Sequence, residues 1–382
     1  ATDAEEFQPQ YSPNGEEIAY LEDRVILKVI NLKSKETRTI LPAKHNYSYA
    51  DGDQWYQWSP DSKWFLVSYG PEENVMWKEV GLIEASGKGK LRNLTESGYY
   101  DRIPKWIMDG KAMMWGSTRR SDKGENEYGS SQDVYCMFFT KESYDRFNLT
   151  EEEYKLLKEK EEKEENGNKD DDGKGKKSKK EKEEIEDLKF DWTDLQDRKK
   201  RLTVHTSKAS DWVLSEDGEK LYYLTRFEGK NDIWVTELRT KKTKLFAEIG
   251  AGKTEMQLSD DGKFIIVLAD GKIKKVNIED AKVNSIPTQG EMRLRTEHER
   301  AYIFDHCWRQ VREKFYVEDL HGVDWPFYYK EYKKFLPHIN NNYDFTEMLS
   351  EMLGELNASH TGSGYRSGSS EADQTASLGV LY

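Results

Sequence analysis

The chain has 382 residues, of which 34% are charged, with a formal net charge of −13. This length exceeds one ordinary domain, and the acidic balance argues against a nucleic-acid backbone as the main partner. The two cysteines, Cys136 and Cys307, stand far apart among apolar and aromatic neighbours, so neither a disulfide framework nor a metal site is expected; no cofactor is indicated either.

Nowhere do ~18 apolar residues follow one another, so no membrane span is expected, and the acidic start ATDAEEFQPQ holds no hydrophobic signal core. The chain begins without methionine and ends on SLGVLY, an alternating stretch that reads as a strand with no partner after it. Both ends are therefore read as cut.

Five segments share one pattern of a bulky residue, a small loop residue, an acidic or Asn turn and an apolar strand: YSPNGEEIAYL, WSPDSKWFLVSY, WIMDGKAMMWGS, LSEDGEKLYYLT and LSDDGKFIIVLA. Asn14-Gly15, Asp109-Gly110, Asp217-Gly218 and Asp261-Gly262 suit tight hairpins, because these residues tolerate positive φ; Asp61-Ser62 is the weaker copy. A second hairpin follows each, as in VILKVINLKSKETRTIL and DIWVTELRTKKTKLFA, which makes four short strands per unit. The turn acids are 47, 48, 108 and 44 residues apart, from positions 14, 61, 109, 217 and 261, and apart from one doubled interval this is the period of a propeller blade.

The doubled interval holds a lysine and glutamate tract, residues 148–188, with almost nothing apolar between Leu157 and Ile185. Such a segment cannot bury enough surface to offset its ordering entropy and is expected to be a solvated, partly helical insertion. DVYCMFF before it and KFDWTDLQDRKKRLTVH after it supply the missing hairpin of the third blade. Residues 1–290 are thus expected to form about five antiparallel blades. The chain is read as starting within a blade, with one or two blades preceding it.

From Glu291 the texture becomes helical. Phe304, Trp308, Val311 and Phe315 fall on one face, a second helix is expected from about Asp324 to Leu336, and a third from about Asp344 to Leu356 with an Asp344 to Glu347 capping box. The glycines of ELNASHTGSGYRS stop that helix, which leaves Ser359 and His360 in the loop beyond it.

The run YVEDLHGVDWPFYYKEYKKFLPHINNNYDFTEMLSEMLGELNASHTGSGYR resembles the helical start of the protease core in the tricorn family, in which a propeller precedes a split core with a PDZ domain inserted into it. KFDWTDLQDRKKRLTV is similar to that family's propeller where a charged insertion interrupts a blade, and ADQTASLGVLY to its entry into the PDZ domain. The resemblance implies a mainly β fold: a propeller of four-stranded antiparallel blades over 1–290, the helical N-terminal part of a split α+β protease core over 291–370, and the start of a PDZ domain over 371–382. It implies a serine peptidase acting on oligopeptides or unfolded polypeptides, with the propeller as filter or conduit. His360 would be the general base and Ser359 would help orient its ring, while the nucleophilic serine would lie beyond Tyr382, so that this chain alone would be inactive. It also suggests a cytoplasmic homohexamer, with a bacterial periplasmic or envelope location as the alternative. The chemistry is consistent, because a serine hydroxyl is a weak nucleophile until a positioned imidazole takes its proton. A histidine just past a helix C-terminus would also feel the negative end of the dipole, which favours the imidazolium.

Other readings are weaker. His298, His306, His321 and His338 lack the i, i+4 His-Glu spacing of a zinc protease and are read as surface or packing residues. GAGKTE at 250–255 resembles part of a phosphate loop, but the first glycine of that motif would fall at Ala247. A prolyl-oligopeptidase type of enzyme would need a G-x-S-x-G elbow, and Ser363 has Thr361 where the first glycine belongs. The alternative from a different class is a non-catalytic propeller that binds peptides or proteins, against which the helical tail argues.

Overall fold

The computed structural model describes residues 4–47, 54–71, 77–120, 132–167, 186–206, 208–227 and 229–366. Two compact units divide the chain between Thr288 and Gln289.

The first unit consists of five four-stranded antiparallel sheets. They are β1 (Glu6–Tyr11), β2 (Glu17–Glu22), β3 (Ile26–Asn31) and β4 (Thr37–Leu41); β5 (Tyr56–Trp58), β6 (Trp64–Tyr69), β7 (Glu79–Glu84) and β8 (Arg92–Asn93); β9 (Asp101–Ile107), β10 (Ala112–Ser117), β11 (Asp133–Phe138) and β12 (Lys199–Arg201). Two more follow: β13 (Asp211–Leu214), β14 (Lys220–Thr225), β15 (Asn231–Glu237) and β16 (Thr243–Ala251), then β17 (Thr254–Leu258), β18 (Phe264–Ala269), β19 (Lys272–Asn277) and β20 (Val283–Ile286). Every sheet is a meander in chain order, which is the blade expected from the repeats. The first sheet has its four strands from β1 onward.

Four of the five inner hairpins use one device. Ser12, Ser59, Ser215 and Ser259 each donate a hydroxyl hydrogen bond to the Asn or Asp two positions on, and each accepts at Oγ the amide that opens the next strand. The turn then needs a left-handed residue, supplied by Gly15, Gly218 and Gly262 and, in the weaker copy, by Ser62 at φ +61°. The third sheet has no serine at this place and instead makes a short 3₁₀ turn, Met108–Gly110.

The tract that interrupts the third sheet begins with α1 (Lys141–Asn148) and α2 (Glu151–Gly167); residues 168–185 lie outside the described residues. Partly helical was the expectation, but α2 is also anchored. The Arg239 guanidinium lies 3.8 Å over the Tyr154 ring and donates to the Leu149 carbonyl at 2.5 Å, while pairing with Glu219 at 2.5 Å. Arg146 adds an ion pair to Glu161 at 2.5 Å. The chain returns through buried Arg198, which donates to the Phe138 and Thr193 carbonyls, and β12 then pairs with β11.

Apolar clusters fill the spaces between consecutive sheets. Leu21, Val29, Trp58 and Phe65 join the first to the second, Leu66, Leu82, Met113 and Trp115 the second to the third, and Trp212, Ile233, Ile265 and Val267 belong to a continuous core of the third, fourth and fifth. Polar groups share the second interface: Asp101 is fully buried beside Glu79, and its carboxylate accepts the Ser97 hydroxyl at 2.6 Å. Among the described residues no buried cluster joins the fifth sheet to the first. Ile18 and Ile30 on one face and Phe264 and Ile266 on the other are only half-buried, and Leu268 is exposed.

Candidate active site

In the second unit, three helices wrap one apolar cluster: α3 (Thr296–Lys314), α4 (Trp325–Lys333) and α5 (Asn342–Gly354). Phe304 is fully buried, and Trp308, Val311 and Phe315 pack around it on the face that the periodicity marks. Trp308 and Trp325 lock α3 to α4 by reciprocal bonds, each indole N–H donating to the other's carbonyl at 3.1 and 3.0 Å. From α5, Phe345, Met348, Leu349, Met352 and Leu353 enter the same core. The start of α5 differs from expectation: Asn341 is the N-cap, its Oδ1 accepting the Asp344 amide at 2.9 Å, while the Asp344 carboxylate accepts from Asn341 Nδ2. The Asn run at 340–342 offered several caps, and the one whose side chain reaches the third helical amide prevails.

Helix α5 stops at Gly354, and Asn357 turns the chain with φ +47°. Ser359 and His360 follow in the loop, both exposed, with His360 itself at φ +61°. A histidine tolerates this region better than most residues, yet it is an uncommon conformation and marks a position held from outside. Among the described residues neither the Ser359 hydroxyl nor the His360 ring has a hydrogen-bond partner, and no bond joins the two.

The loop is tied down on either side of this pair. At its entry His321 presents Nδ1 to the Leu356 carbonyl at 3.3 Å and meets the Tyr316 hydroxyl at Nε2, 2.6 Å away. A carbonyl only accepts, so Nδ1 carries the proton and, in the neutral ring, Nε2 accepts from Tyr316. At its exit Ser363 is bonded to Ser350 and Thr346 of α5, and Tyr365 meets Tyr343 edge-on at 5.1 Å. Ser363 therefore spends its hydroxyl on a helix carbonyl and sits in a loop, which removes it as a nucleophile on an elbow.

The remaining histidines behave as packing or surface groups. His306 stacks on Tyr302, and His298 and His338 are exposed. Both cysteines are free thiols; burial pushes Cys307 up to about 11 and Cys136 further still, so neither is an activated nucleophile at neutral pH. The amides of Gly252 and Lys253 in GAGKTE donate to the Asp270 carboxylate at 2.8–3.1 Å, which leaves them engaged within the hairpin.

The propeller unit has a cavity of about 1200 Å³ lined by first strands of its sheets, including Gln10, Gln57, Lys105, Asp211 and Gln257. Its wall contains a cross-blade clamp that periodicity alone did not reveal. Lys105 reaches Asp211 at 2.5 Å and the Trp212 carbonyl at 2.9 Å, while the other Asp211 oxygen accepts the Met256 amide at 2.7 Å, so one carboxylate ties three successive sheets together. The available signal was a polar residue directly before a tryptophan in three of the five inner strands: Gln57-Trp58, Lys105-Trp106 and Asp211-Trp212.

Fold and loop together define a class: a multi-bladed propeller followed by a compact helical unit that presents a histidine in a clamped loop. Residues 296–354, the three helices, match the family model described as the Tricorn protease C1 domain. Tricorn protease homolog 1 of Streptomyces coelicolor is 30% identical over 142 residues, covering 33% of this chain and 13% of that protein. A putative Tricorn-like protease C-terminal subunit of Sulfurisphaera tokodaii is 22% identical over 380 residues, covering 92% of this chain and 38% of its own length. The crystal structure of the tricorn protease superposes with a TM-score of 0.63 at 15% identity over 94% of this chain and 34% of that one, a likeness of fold. Residues 296–354 thus match a tricorn protease domain, and the chain as a whole is similar to tricorn-type proteins. It spans well under half the length of these relatives.

Proposed function

We propose that this chain is the propeller and the histidine-bearing part of a serine-type peptidase that cleaves oligopeptides or unfolded polypeptides. His360 is the general base, Ser359 helps to orient it once the site is complete, and the nucleophilic serine comes from sequence after Tyr382, following a PDZ domain that begins near residue 371. Residues 371–382 lie outside the described residues. The observation that carries the reading is the match to the C1 domain up to residue 354, with an exposed, left-handed His360 six positions further on in a loop clamped at both ends. An exposed imidazole with no partner of its own is free to meet a hydroxyl brought by another segment.

The propeller cavity acts as filter or conduit for the substrate, and the assembly is a cytoplasmic homohexamer, with the bacterial envelope as the alternative compartment. Among the described residues no helix is long and apolar enough to cross a membrane. The same cavity supports a second reading, a non-catalytic propeller that binds peptides. A fluorophosphonate probe separates the two. It should label the whole protein and leave the 382-residue chain unlabelled, with peptide hydrolysis following the label. Labelling of this chain alone would contradict the split site, and an unlabelled, inactive whole protein would favour the binding module.

A further inference from the structure

We propose that Ser350 is a positioning residue for His360, an inference that rests on the reading of His360 as the base. Helix α5 has two stripes. Phe345, Met348, Leu349, Met352 and Leu353 are buried in the three-helix core, whereas Tyr343, Thr346 and Ser350, spaced three and four apart, form a separate line outside it. The segment after His360 runs back along that second line and uses all three of its members.

Ser350 does the most. Its Oγ accepts the Ser363 amide at 3.1 Å and its hydroxyl donates to the Ser363 carbonyl at 3.2 Å, so one side chain satisfies both backbone groups of one loop residue. One turn earlier the Thr346 carbonyl accepts the Ser363 hydroxyl at 2.9 Å, and a further turn earlier Tyr343 packs on Tyr365 with rings at 86°. A helix-surface serine would ordinarily face water. Here it acts as the far post of the loop, opposite His321 at the Leu356 carbonyl.

Between these posts Asn357 and His360 hold left-handed backbone without the freedom of glycine. Released at the Ser363 end, residues 357–365 would relax toward ordinary φ values and turn the imidazole away from the place where a nucleophile's hydroxyl must meet it. A base displaced by about 1 Å loses on the order of 100-fold in rate. Ser350 therefore sets kcat through the placement of His360 and leaves substrate binding alone.

The test uses an isosteric pair in the whole protein, Ser350→Thr and Ser350→Val, which are equal in branching and differ in the hydroxyl. With kcat counted per fluorophosphonate-titrated site, so that misfolded enzyme does not enter, the Thr variant should stay near wild type. The Val variant should fall roughly 10- to 100-fold with KM within about two-fold. In the 382-residue chain, the Val variant should also lose hydrogen-exchange protection at the Ser363 amide. Equal turnover in both variants, high or low, overturns the proposal, as does unchanged Ser363 protection. A His360→Ala control keeps the failures apart. If that variant is dead while Ser350→Val turns over normally, only the positioning role falls; if His360→Ala itself turns over normally, the base assignment falls and takes the positioning role with it.

Discussion

The inner hairpins of the propeller and the loop carrying His360 are both polar turns with left-handed backbone, and they are held in opposite ways. In the hairpins a serine and an Asn or Asp inside the turn bond to each other and to the turn's own amides, so the conformation is set within about six residues. In the His360 loop neither Ser359 nor His360 has a side-chain bond among the described residues; apart from the Thr361 hydroxyl, which donates to the Ala358 carbonyl at 2.9 Å, the restraint comes from His321, Thr346 and Ser350, all outside it. Self-held turns make a scaffold that needs no partner. An externally held turn keeps its central side chains free, as the proposed base requires if it is to meet the hydroxyl of a nucleophilic serine.

This contrast predicts where substitutions tell on stability and where on chemistry. The largest effect on stability is expected at the cross-blade clamp. Asp211→Ala leaves the largely buried Lys105 ammonium unpaired and the Met256 amide unbonded, and breaking such a pair costs about 3–5 kcal/mol. A urea midpoint unchanged from wild type would show that the three sheets do not depend on it.

Next comes Asp101. Burial pushes its carboxyl up to about 6 from an ordinary 3.8, against hydrogen bonds from Ser117 and Ser97 that favour the charged form. The folded state therefore holds this proton more tightly than the unfolded chain, and stability falls as pH rises from about 4 to about 6. At 1.36 kcal/mol per pH unit the shift amounts to about 3 kcal/mol. Asp101→Asn removes the ionisation, so its stability relative to wild type should climb across that window and level off above it. Parallel curves for the two proteins would contradict the assignment. The smallest effect is Ser215→Ala, which opens one of four equivalent hairpin devices and should cost about 1 kcal/mol with peptide turnover unchanged; an altered turnover would couple scaffold and site more tightly than this account allows.

The self-held turns are also the part of the fold that could be read directly, because every partner lies within a few positions. The third blade followed from the same logic, since DVYCMFF and DRKKRL remain recognisable strands on either side of the insertion, and β11 and β12 do pair. What escaped was long-range. Asp211 meets Lys105 and Met256 across 106 and 45 positions, and Ser350 meets Ser363 only because the chain reverses beyond α5. The anchoring of α2 was hidden for a related reason: Arg239 stands in an ordinary β-hairpin sequence, and only the fold brings it over Tyr154. Ser359 and His360 could be singled out by family resemblance, whereas the clamps that hold their loop are generic residues whose role exists only in three dimensions.

The central claim is that His360 is the base, and the most direct measurement is the turnover of a fluorogenic peptide by His360→Ala in the whole protein, beside Ser359→Ala and His338→Ala. Because a nucleophile and its base act as a unit, kcat for His360→Ala should fall by several orders of magnitude with KM little changed. Ser359→Ala should lose only ~1–3 kcal/mol of transition-state stabilisation, and His338→Ala, altering an exposed residue, should be nearly silent. A folded His360→Ala protein that retains wild-type turnover would contradict the account.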